Sequence, residues 1–302
     1  MNNINHSKMY TPTLRLSITK QCNGLCPFCH KEGQNIQCSQ NYMSLDFVTD
    51  SVIPAIKGIG ISKVILTGGE PTLHKDLSRI AHSIRTGCPD ISIGMTTNGE
   101  NTDRISEVID CLDKITISLS SYRPEVYMKY TKVNPYPLIS FINDCHPKSK
   151  AASIVITEDS IQDMFQLLDY LINQEFDVKL QFVIGKTLIN RQQQYEFYRE
   201  LCTHFGDSQI VLASTPSFIW NVTDNSTIRL KTPSLNRFVY DNIVRRKACL
   251  NCALKKECVE RGCAVRVYTN GDVSPCLSNH ILYQDIALIN SIKKAYDDME
   301  IV

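Results

Sequence analysis

The stretch TLRLSITKQCNGLCPFCH, residues 13–30, joins an alternating apolar run to a loop that carries three cysteines. The alternation of apolar and polar residues in TLRLSIT predicts a β-strand. Cys22, Cys26 and Cys29 follow directly, so we expect their thiols on the loop at the carboxyl end of that strand. Three thiolates are one ligand short of a complete tetrahedral zinc site, and a metal centre bound there would keep an open coordination position.

The same strand-then-helix pattern repeats through the first two thirds of the chain. Five further strand-like runs lie at 63–67, 91–97, 114–120, 151–157 and 178–184. Helix-like stretches lie at 44–60, 75–86, 102–112, 124–144, 159–174 and 190–206. Six β-α units in succession predict an α/β fold with a parallel sheet and right-handed crossovers, either open or barrel-like.

Composition excludes several classes of protein. The 302 residues include 43% hydrophobic residues, enough for a large core, and the net charge of +1 indicates no nucleic-acid partner. No apolar run approaches the roughly 18 residues of a membrane span, and the polar N-terminus lacks the features of a signal peptide. We therefore expect a cytoplasmic protein without a membrane partner, in which the 13 cysteines are not paired as disulfides. Five scattered cysteines are expected in the core: Cys38, Cys88, Cys111, Cys145 and Cys202.

A second motif, LTGGEPTL at residues 66–73, ends the second strand-like run. Its two glycines let backbone approach a ligand closely, and Glu70 adds a carboxylate that can hold an amine. Both motifs follow strands of the expected parallel sheet, at the edge where α/β barrels gather their active sites. His30 would complete a zinc site, but adjacent Cys29 and His30 chelate one ion poorly. A [4Fe–4S] cluster on three thiolates fits better.

These paired motifs resemble those of the radical S-adenosylmethionine (SAM) enzymes over residues 12–206, including Phe28 before the third cysteine. The resemblance implies a partial (β/α)6 TIM-like barrel. It also implies a [4Fe–4S] cluster on Cys22, Cys26 and Cys29, with SAM chelating the open iron. Reductive cleavage of SAM, with electrons from a donor such as flavodoxin or ferredoxin, would give a 5′-deoxyadenosyl radical that takes hydrogen from the substrate. No catalytic acid or base is identified.

The resemblance also implies where SAM is bound. Gly68, Gly69 and Glu70 would meet the methionyl amine, and Ser118 and Ser120 the ribose or carboxylate. Ile154 and Ile156 would flank the adenine. The expected SAM contacts are Phe28, Gly68, Gly69, Glu70, Thr97, Asn98, Ser118, Ser120 and Ile156.

A second cysteine group lies near the C-terminus, where the β-α pattern is replaced after residue 207 by short β-like pieces, a helix-like stretch near 235–246 and a last helix from about 283. Its members are Cys249, Cys252, Cys258, Cys263 and Cys276. Zinc or a second iron–sulfur cluster would suit this group. VYTNGDVSPCL, residues 267–277, predicts a β-hairpin around an Asn-Gly turn. That hairpin resembles the SPASM and twitch extensions of radical SAM enzymes, which favours a second [4Fe–4S] cluster. Its expected ligands are Cys249, Cys252, Cys263 and Cys276, with Cys258 a further candidate.

The expected organisation is a tail (1–11), a radical SAM core (12–206) and a small cysteine-rich α+β extension (207–302). The GTP 3′,8-cyclase family of molybdenum cofactor synthesis gives the nearest resemblance, through Arg15 and Arg266. The chain departs from that family because Cys258 and Cys263 intervene before the hairpin and because it ends in YDDMEIV instead of a Gly-Gly tail.

We therefore expect a relative that acts on a peptide or another small molecule. A true cyclase and a non-catalytic iron–sulfur or zinc redox sensor are the alternatives. Four loop residues beside the motifs are candidates for facing the substrate, although solvated loop positions explain them better: Lys31, Glu32, Tyr122 and Arg123.

Overall fold

The computed structural model describes residues 13–30, 41–144, 148–183, 189–211, 217–231, 247–252, 264–277 and 281–299. The strands are β1 (Thr13–Thr19), β2 (Lys63–Gly68), β3 (Ser92–Thr97), β4 (Lys114–Ser118), β5 (Lys150–Ile156), β6 (Asp177–Phe182), β7 (Gln209–Val211), β8 (Ser217–Thr223), β9 (Ser226–Lys231), β10 (Val265–Val267) and β11 (Val273–Ser274). The helices are α1 (Leu45–Phe47), α2 (Ile53–Ile59), α3 (Leu77–Gly87), α4 (Thr102–Ser106), α5 (Pro124–Thr131), α6 (Tyr136–Asp144), α7 (Met164–Asn173), α8 (Arg191–Phe205) and α9 (Leu288–Asp297).

The strands of the described residues form one mixed sheet in the order β11-β10-β1-β2-β3-β4-β5-β6-β9-β8-β7. Strands β1 to β6 are parallel and lie in sequence order, each joined to the next by a helical crossover. The α/β class expected from the six β-α units and the partial barrel implied by the resemblance are therefore confirmed. The carboxyl ends of these six strands meet at one edge, which carries both motifs.

Three of the expected helical stretches are interrupted, and 124–144 divides into α5 and α6. The stretch 44–60 contains α1, a π-helical turn at Val48–Val52 and α2. The stretch 102–112 is split into α4 and a 3-10 turn at Ile109–Cys111. The split occurs because Val108, which is buried in the core, leaves the helical conformation at φ −121° and ψ −5°.

The two faces of the sheet have opposite character. Residues of one face are almost completely buried and join the core formed with the helices: Leu14, Leu16, Val64, Leu66, Ile93, Met95, Ile115, Ile117, Ile154, Val178, Leu180, Ile228 and Leu230. The alternate residues, in register across the strands, are mostly polar: Arg15, Ser17, Thr67, Thr96, Thr116, Ser118, Ser153, Lys179, Gln181, Arg229, Lys231 and Arg266. Since the helices cover the apolar face, we call the polar one the inner face of the partial barrel.

The C-terminal segment continues the same sheet beyond β1. Strand β10 pairs parallel to β1, with Arg266 opposite Arg15, and β11 turns back antiparallel to β10. The predicted hairpin is confirmed: its turn contains Gly271 at φ +86°, a conformation that glycine adopts without strain. The last helix, expected from about 283, begins at Leu288 because Tyr283 pairs with Val273 at the sheet edge. A helix expected near 235–246 lies outside the described residues.

No helix in the described part of the chain is long and apolar enough to span a membrane.

Candidate active site

The loop after β1 presents the three N-terminal cysteines at the carboxyl edge of the sheet. Cys22 and Cys29 are exposed, and Cys26 is half-buried. The Cys29 amide donates to the Cys26 carbonyl at 3.1 Å, which closes a turn between the second and third thiols. The Leu25 amide donates to the Thr131 carbonyl at 2.8 Å. This bond fastens the loop to the end of α5.

The thiols of this loop influence each other. Partial burial is the main cause that raises the pKa of Cys22, and partial burial together with the neighbouring thiols raises that of Cys26 to about 11. Three thiolates brought this close repel one another unless a cationic centre binds them. Metal ligation requires the deprotonated form of each thiol. Metal binding to the triad would therefore release protons.

The donor set suits an iron–sulfur cluster. Within the described ranges, no three His, Cys, Asp or Glu side chains are grouped closely enough to hold one metal ion. A [4Fe–4S] cluster spreads its thiolates over three separate irons, whereas zinc needs its ligands around a single point. Three thiols on one loop are therefore compatible with a cluster, and the ligation of the triad stays a prediction.

The two glycines of the second motif let β2 end against the cysteine loop. The Gly69 amide donates to the Thr19 carbonyl and the Glu70 amide to the Gln21 carbonyl, both at 2.7 Å. A Cβ at Gly68 would lie 2.3 Å from the Thr19 carbonyl oxygen, and one at Gly69 would lie 2.1 Å from that of Gln21. On the side where a Cβ would project, the space beside the two glycines is filled by the backbone that leads into the triad. Their contact with SAM stays a prediction.

Glu70 is a buried hydrogen-bonding centre, 2% exposed. Its Oε1 accepts from Thr97 Oγ1 at 2.6 Å and from both the amide and the hydroxyl of Thr72, and its Oε2 accepts from the Asn98 amide at 2.7 Å. Burial raises the pKa of this carboxyl, while the hydrogen bonds from Asn98, Thr97 and Thr72 lower it. The carboxylate thus joins the ends of β2 and β3.

Three further predicted contacts lie around the end of β4. Ser120 Oγ accepts from the Val155 amide at 3.4 Å, and the Ser118 carbonyl accepts from Tyr127 Oη at 2.7 Å. Phe28 lines a small apolar hollow together with Ser120 and Tyr127. Phe28 and Ser120 are therefore neighbours beside the cysteine loop.

The structure does not bring the two isoleucines of β5 to the site. Ile154 and Ile156 are at most 1% exposed and are in register with Leu180 and Phe182, which belong to the helix-facing core. Side chains alternate along a strand, so the residue of β5 on the inner face near its carboxyl end is the half-buried Val155. The prediction for Ile156 was one residue out of phase.

Positively charged residues of the inner face were not singled out from the sequence, apart from Arg15 and Arg266. Lys179 on β6 lies opposite Arg229 on β9, and Gln181 lies opposite Lys231. Lys231 and Arg266 are 6% and 4% exposed, and burial lowers the pKa of Arg229. The sequence contains a signal for this placement. Apolar and polar residues alternate within VKLQF and within IRLK, so Lys179, Arg229 and Lys231 fall on one face of the sheet.

The C-terminal cysteines are described only in part. The Cys252 amide donates to the Cys249 carbonyl at 3.3 Å, and the Ala248 amide donates to the Asp298 carbonyl after α9. Cys276, which is 8% exposed, follows β11. Because β11 runs antiparallel to β1, Cys276 lies toward the amino ends of the parallel strands, opposite the triad. Cys38, Cys145, Cys258 and Cys263 lie outside the described residues, as do Lys31 and Glu32.

Comparison with known proteins agrees with this arrangement. The family model for the radical SAM superfamily matches residues 16–171, more than half of the chain. The chain therefore belongs to the radical SAM superfamily, whose members are enzymes that use SAM and a [4Fe–4S] cluster.

Curated relatives share part of the chain. The probable GTP 3′,8-cyclase of Thermococcus kodakarensis is 37% identical over 123 residues, which cover 40% of this chain and 39% of the relative. The GTP 3′,8-cyclase of Limosilactobacillus fermentum is 32% identical over 210 residues, covering 64% of this chain and 62% of the relative. The matches thus span between about four and six tenths of the length of these relatives.

Two solved structures share the fold over nearly the whole chain. Streptococcus suis SuiB bound to its precursor peptide SuiA superposes with a TM-score of 0.66 at 17% identity, covering 96% of this chain and 66% of SuiB. The enzyme anSMEcpe with bound AdoMet gives a TM-score of 0.63 at 14% identity, covering 95% of this chain and 80% of anSMEcpe. At these identities the likeness concerns the fold alone.

Proposed function

We propose that the chain is a radical SAM enzyme that acts on an anionic small molecule held on the inner face of its barrel. Cys22, Cys26 and Cys29 would hold the [4Fe–4S] cluster. When bound, this cluster cleaves SAM reductively and supplies a 5′-deoxyadenosyl radical for hydrogen abstraction. The donor set of three soft thiols on one loop supports this assignment.

The remaining site residues act by shaping this edge of the barrel. Gly68 and Gly69 allow β2 to end against the backbone before the triad, and Glu70 fixes that end to β3. Such fixed geometry is what holding a cofactor beside its cluster requires. Phe28 and Ser120, together at the end of β4, are the residues we propose for the adenosyl side of SAM.

The charge of the inner face is the single observation that supports this substrate class. Its described strand residues carry the cations Arg15, Lys63, Lys114, Lys179, Arg229, Lys231 and Arg266 and one carboxylate, Asp177, which pairs with Lys114. A partly buried surface with such an excess of positive charge attracts anionic ligands. An anionic substrate, such as a nucleoside triphosphate, therefore fits better than a neutral peptide. The curated cyclase relatives make GTP the first compound to test.

The C-terminal cysteines would hold a second [4Fe–4S] cluster at the far end of the inner face. The ligands we propose are Cys249, Cys252, Cys263 and Cys276, and Cys258 is a further candidate. Support comes from β10, which lies against β1 and brings Cys276 to the amino ends of the barrel strands. A substrate on the inner face would then lie between the two cysteine groups. We propose that a protein of the flavodoxin or ferredoxin type supplies the electrons.

The charge of the inner face can be tested by removing it. We expect the Lys179→Gln/Arg229→Gln double variant to raise the KM for an anionic substrate by about tenfold or more, since each lost charge-assisted hydrogen bond costs about 1.5–3 kcal/mol. SAM cleavage without substrate should change little. The assay is 5′-deoxyadenosine formation by anaerobic, reconstituted enzyme with GTP, other nucleotides and peptides.

Lys57→Gln, an exposed charge on α2, is the matched control. Stimulation of SAM cleavage by a neutral peptide, with equal KM in wild type and double variant, would reject the anionic substrate.

A further inference from the structure

Asn23 lies inside the cysteine loop, between Cys22 and Gly24, and takes part in a closed ring of hydrogen bonds with the side chain of Asn98 and with the side chain and backbone amide of Glu100. Its Oδ1 accepts from Asn98 Nδ2 at 2.7 Å, and its Nδ2 donates to Glu100 Oε2. The ring closes because the Glu100 amide donates to Asn98 Oδ1 at 3.1 Å. All three residues are half-buried.

The carboxylate and the backbone amide of Glu100 together set the direction of every bond in this ring. A carboxylate only accepts hydrogen bonds, so Asn23 must turn its NH2 group toward Glu100 and its oxygen toward Asn98. The backbone amide of Glu100 only donates, so Asn98 must present its side-chain oxygen to it. The side-chain amides of Asn23 and Asn98 each have one allowed orientation. The ring therefore fixes the side chain of Asn23 and with it the backbone beside Cys22.

The ring is also connected to the rest of the protein. Glu100 Oε1 accepts from the Asn134 amide at 3.3 Å, which links it to the segment between α5 and α6. The backbone amide of Asn98 donates to Glu70 Oε2, so the ring is connected to the buried carboxylate at the end of β2. The cysteine loop is thus held against two separate elements of the barrel edge.

From this arrangement we propose that Glu100 is a positioning residue, which fixes the cysteine loop through Asn23 and adds a negative charge beside the cluster. The inference rests on the proposed function, in which Cys22, Cys26 and Cys29 hold that cluster. It assigns Glu100 no contact with SAM or substrate.

The proposal can be tested by exchanging the carboxylate and the amide between Glu100 and Asn23. Asn23→Asp sets two carboxylates against each other, whereas Glu100→Gln keeps the shape of the side chain and removes its charge. In the Asn23→Asp/Glu100→Gln double variant, the new carboxylate accepts from both Asn98 and the new amide, so every bond of the ring can form again. Glu196→Gln is the matched control, because Glu196 also accepts from a side-chain amide, that of Gln192, on the exposed surface of α8.

Three measurements are made on the full chain: amide hydrogen exchange of residues 22–29 in the iron-free protein, release of iron from the reconstituted protein to a chelator, and the midpoint potential of the cluster. We expect Asn23→Asp to speed exchange and iron release by about tenfold or more, as for a buried polar group left unsatisfied. The double variant should return both rates to within about threefold of wild type. Glu100→Gln should shift the potential to more positive values, and the double variant should shift it back.

Failure of the double variant to recover either rate would overturn the proposal, as would an unchanged potential in Glu100→Gln. If the wild type bound no iron at the triad, the proposed function would fail. Hydrogen exchange in the iron-free protein would still decide whether the ring holds the loop.

Discussion

Replacing Gly69 by alanine is expected to abolish iron binding at the triad and to lower the stability of the whole chain. A Cβ at this position would lie 2.1 Å from the Gln21 carbonyl oxygen and 2.7 Å from that of Lys20, far inside any normal contact. Both atoms belong to backbone, which cannot turn aside as a flexible side chain can. The end of β2 and the cysteine loop must therefore move apart, and we expect a loss of about 3 kcal/mol or more in the free energy of unfolding.

The measurements are thermal unfolding of the iron-free protein and iron content after reconstitution. A loss of this size corresponds to a decrease of roughly 6–12 °C in Tm for a domain of this size class. Gly94→Ala, in the neighbouring strand β3, is the matched control, because its Cβ would approach no closer than 3.4 Å to the Lys114 carbonyl oxygen. Equal iron content and equal Tm in the two variants would contradict the packing we describe.

Glu70→Ala is expected to be almost as damaging, for a different reason. The substitution leaves four donors without their acceptor: the amide and hydroxyl of Thr72, the Thr97 hydroxyl and the Asn98 amide. Each buried unsatisfied group costs about 1–3 kcal/mol, and the removed side chain leaves a cavity. We expect a loss of about 3 kcal/mol or more in the free energy of unfolding, with SAM cleavage lost as well.

Glu70→Gln separates hydrogen bonding from shape. The amide oxygen can still accept from Thr72 and Thr97, but the NH2 group then faces the Asn98 amide, donor against donor. Denaturant unfolding of both variants should therefore rank the glutamine between alanine and wild type. An alanine variant as stable as wild type would show that the four hydrogen bonds contribute nothing.

Strand order made much of the site predictable. Cys22, Cys26 and Cys29 follow β1 directly, and Gly68 to Glu70 end β2, so the alternation of strands and helices was enough to place both motifs at one edge of a parallel sheet. Parallel strands with right-handed crossovers offer only this arrangement. The Asn-Gly hairpin was predictable for a similarly local reason, since its turn needs a residue with positive φ.

Other features depend on register and on contacts far apart in sequence. Ile156 was predicted at the SAM site, but an error of one residue in a strand moves a side chain to the opposite face, and Val155 lies on the inner face instead. The ring joins Asn23 to Asn98 and Glu100, which lie 75 and 77 positions away, and no local sequence pattern predicts such a pairing. The role of the two glycines likewise depends on backbone that lies against them only in the folded chain.

The central claim is that Cys22, Cys26 and Cys29 hold a cluster that cleaves SAM. The most direct test is iron per chain and 5′-deoxyadenosine formation after anaerobic reconstitution, with dithionite and SAM, for wild type and for the Cys22→Ala/Cys26→Ala/Cys29→Ala variant. We predict about eight irons in the wild type and about four in the variant, as two [4Fe–4S] clusters require, with deoxyadenosine formed by the wild type alone. Iron-replete wild type that forms no deoxyadenosine, or equal product from the variant, would contradict the account.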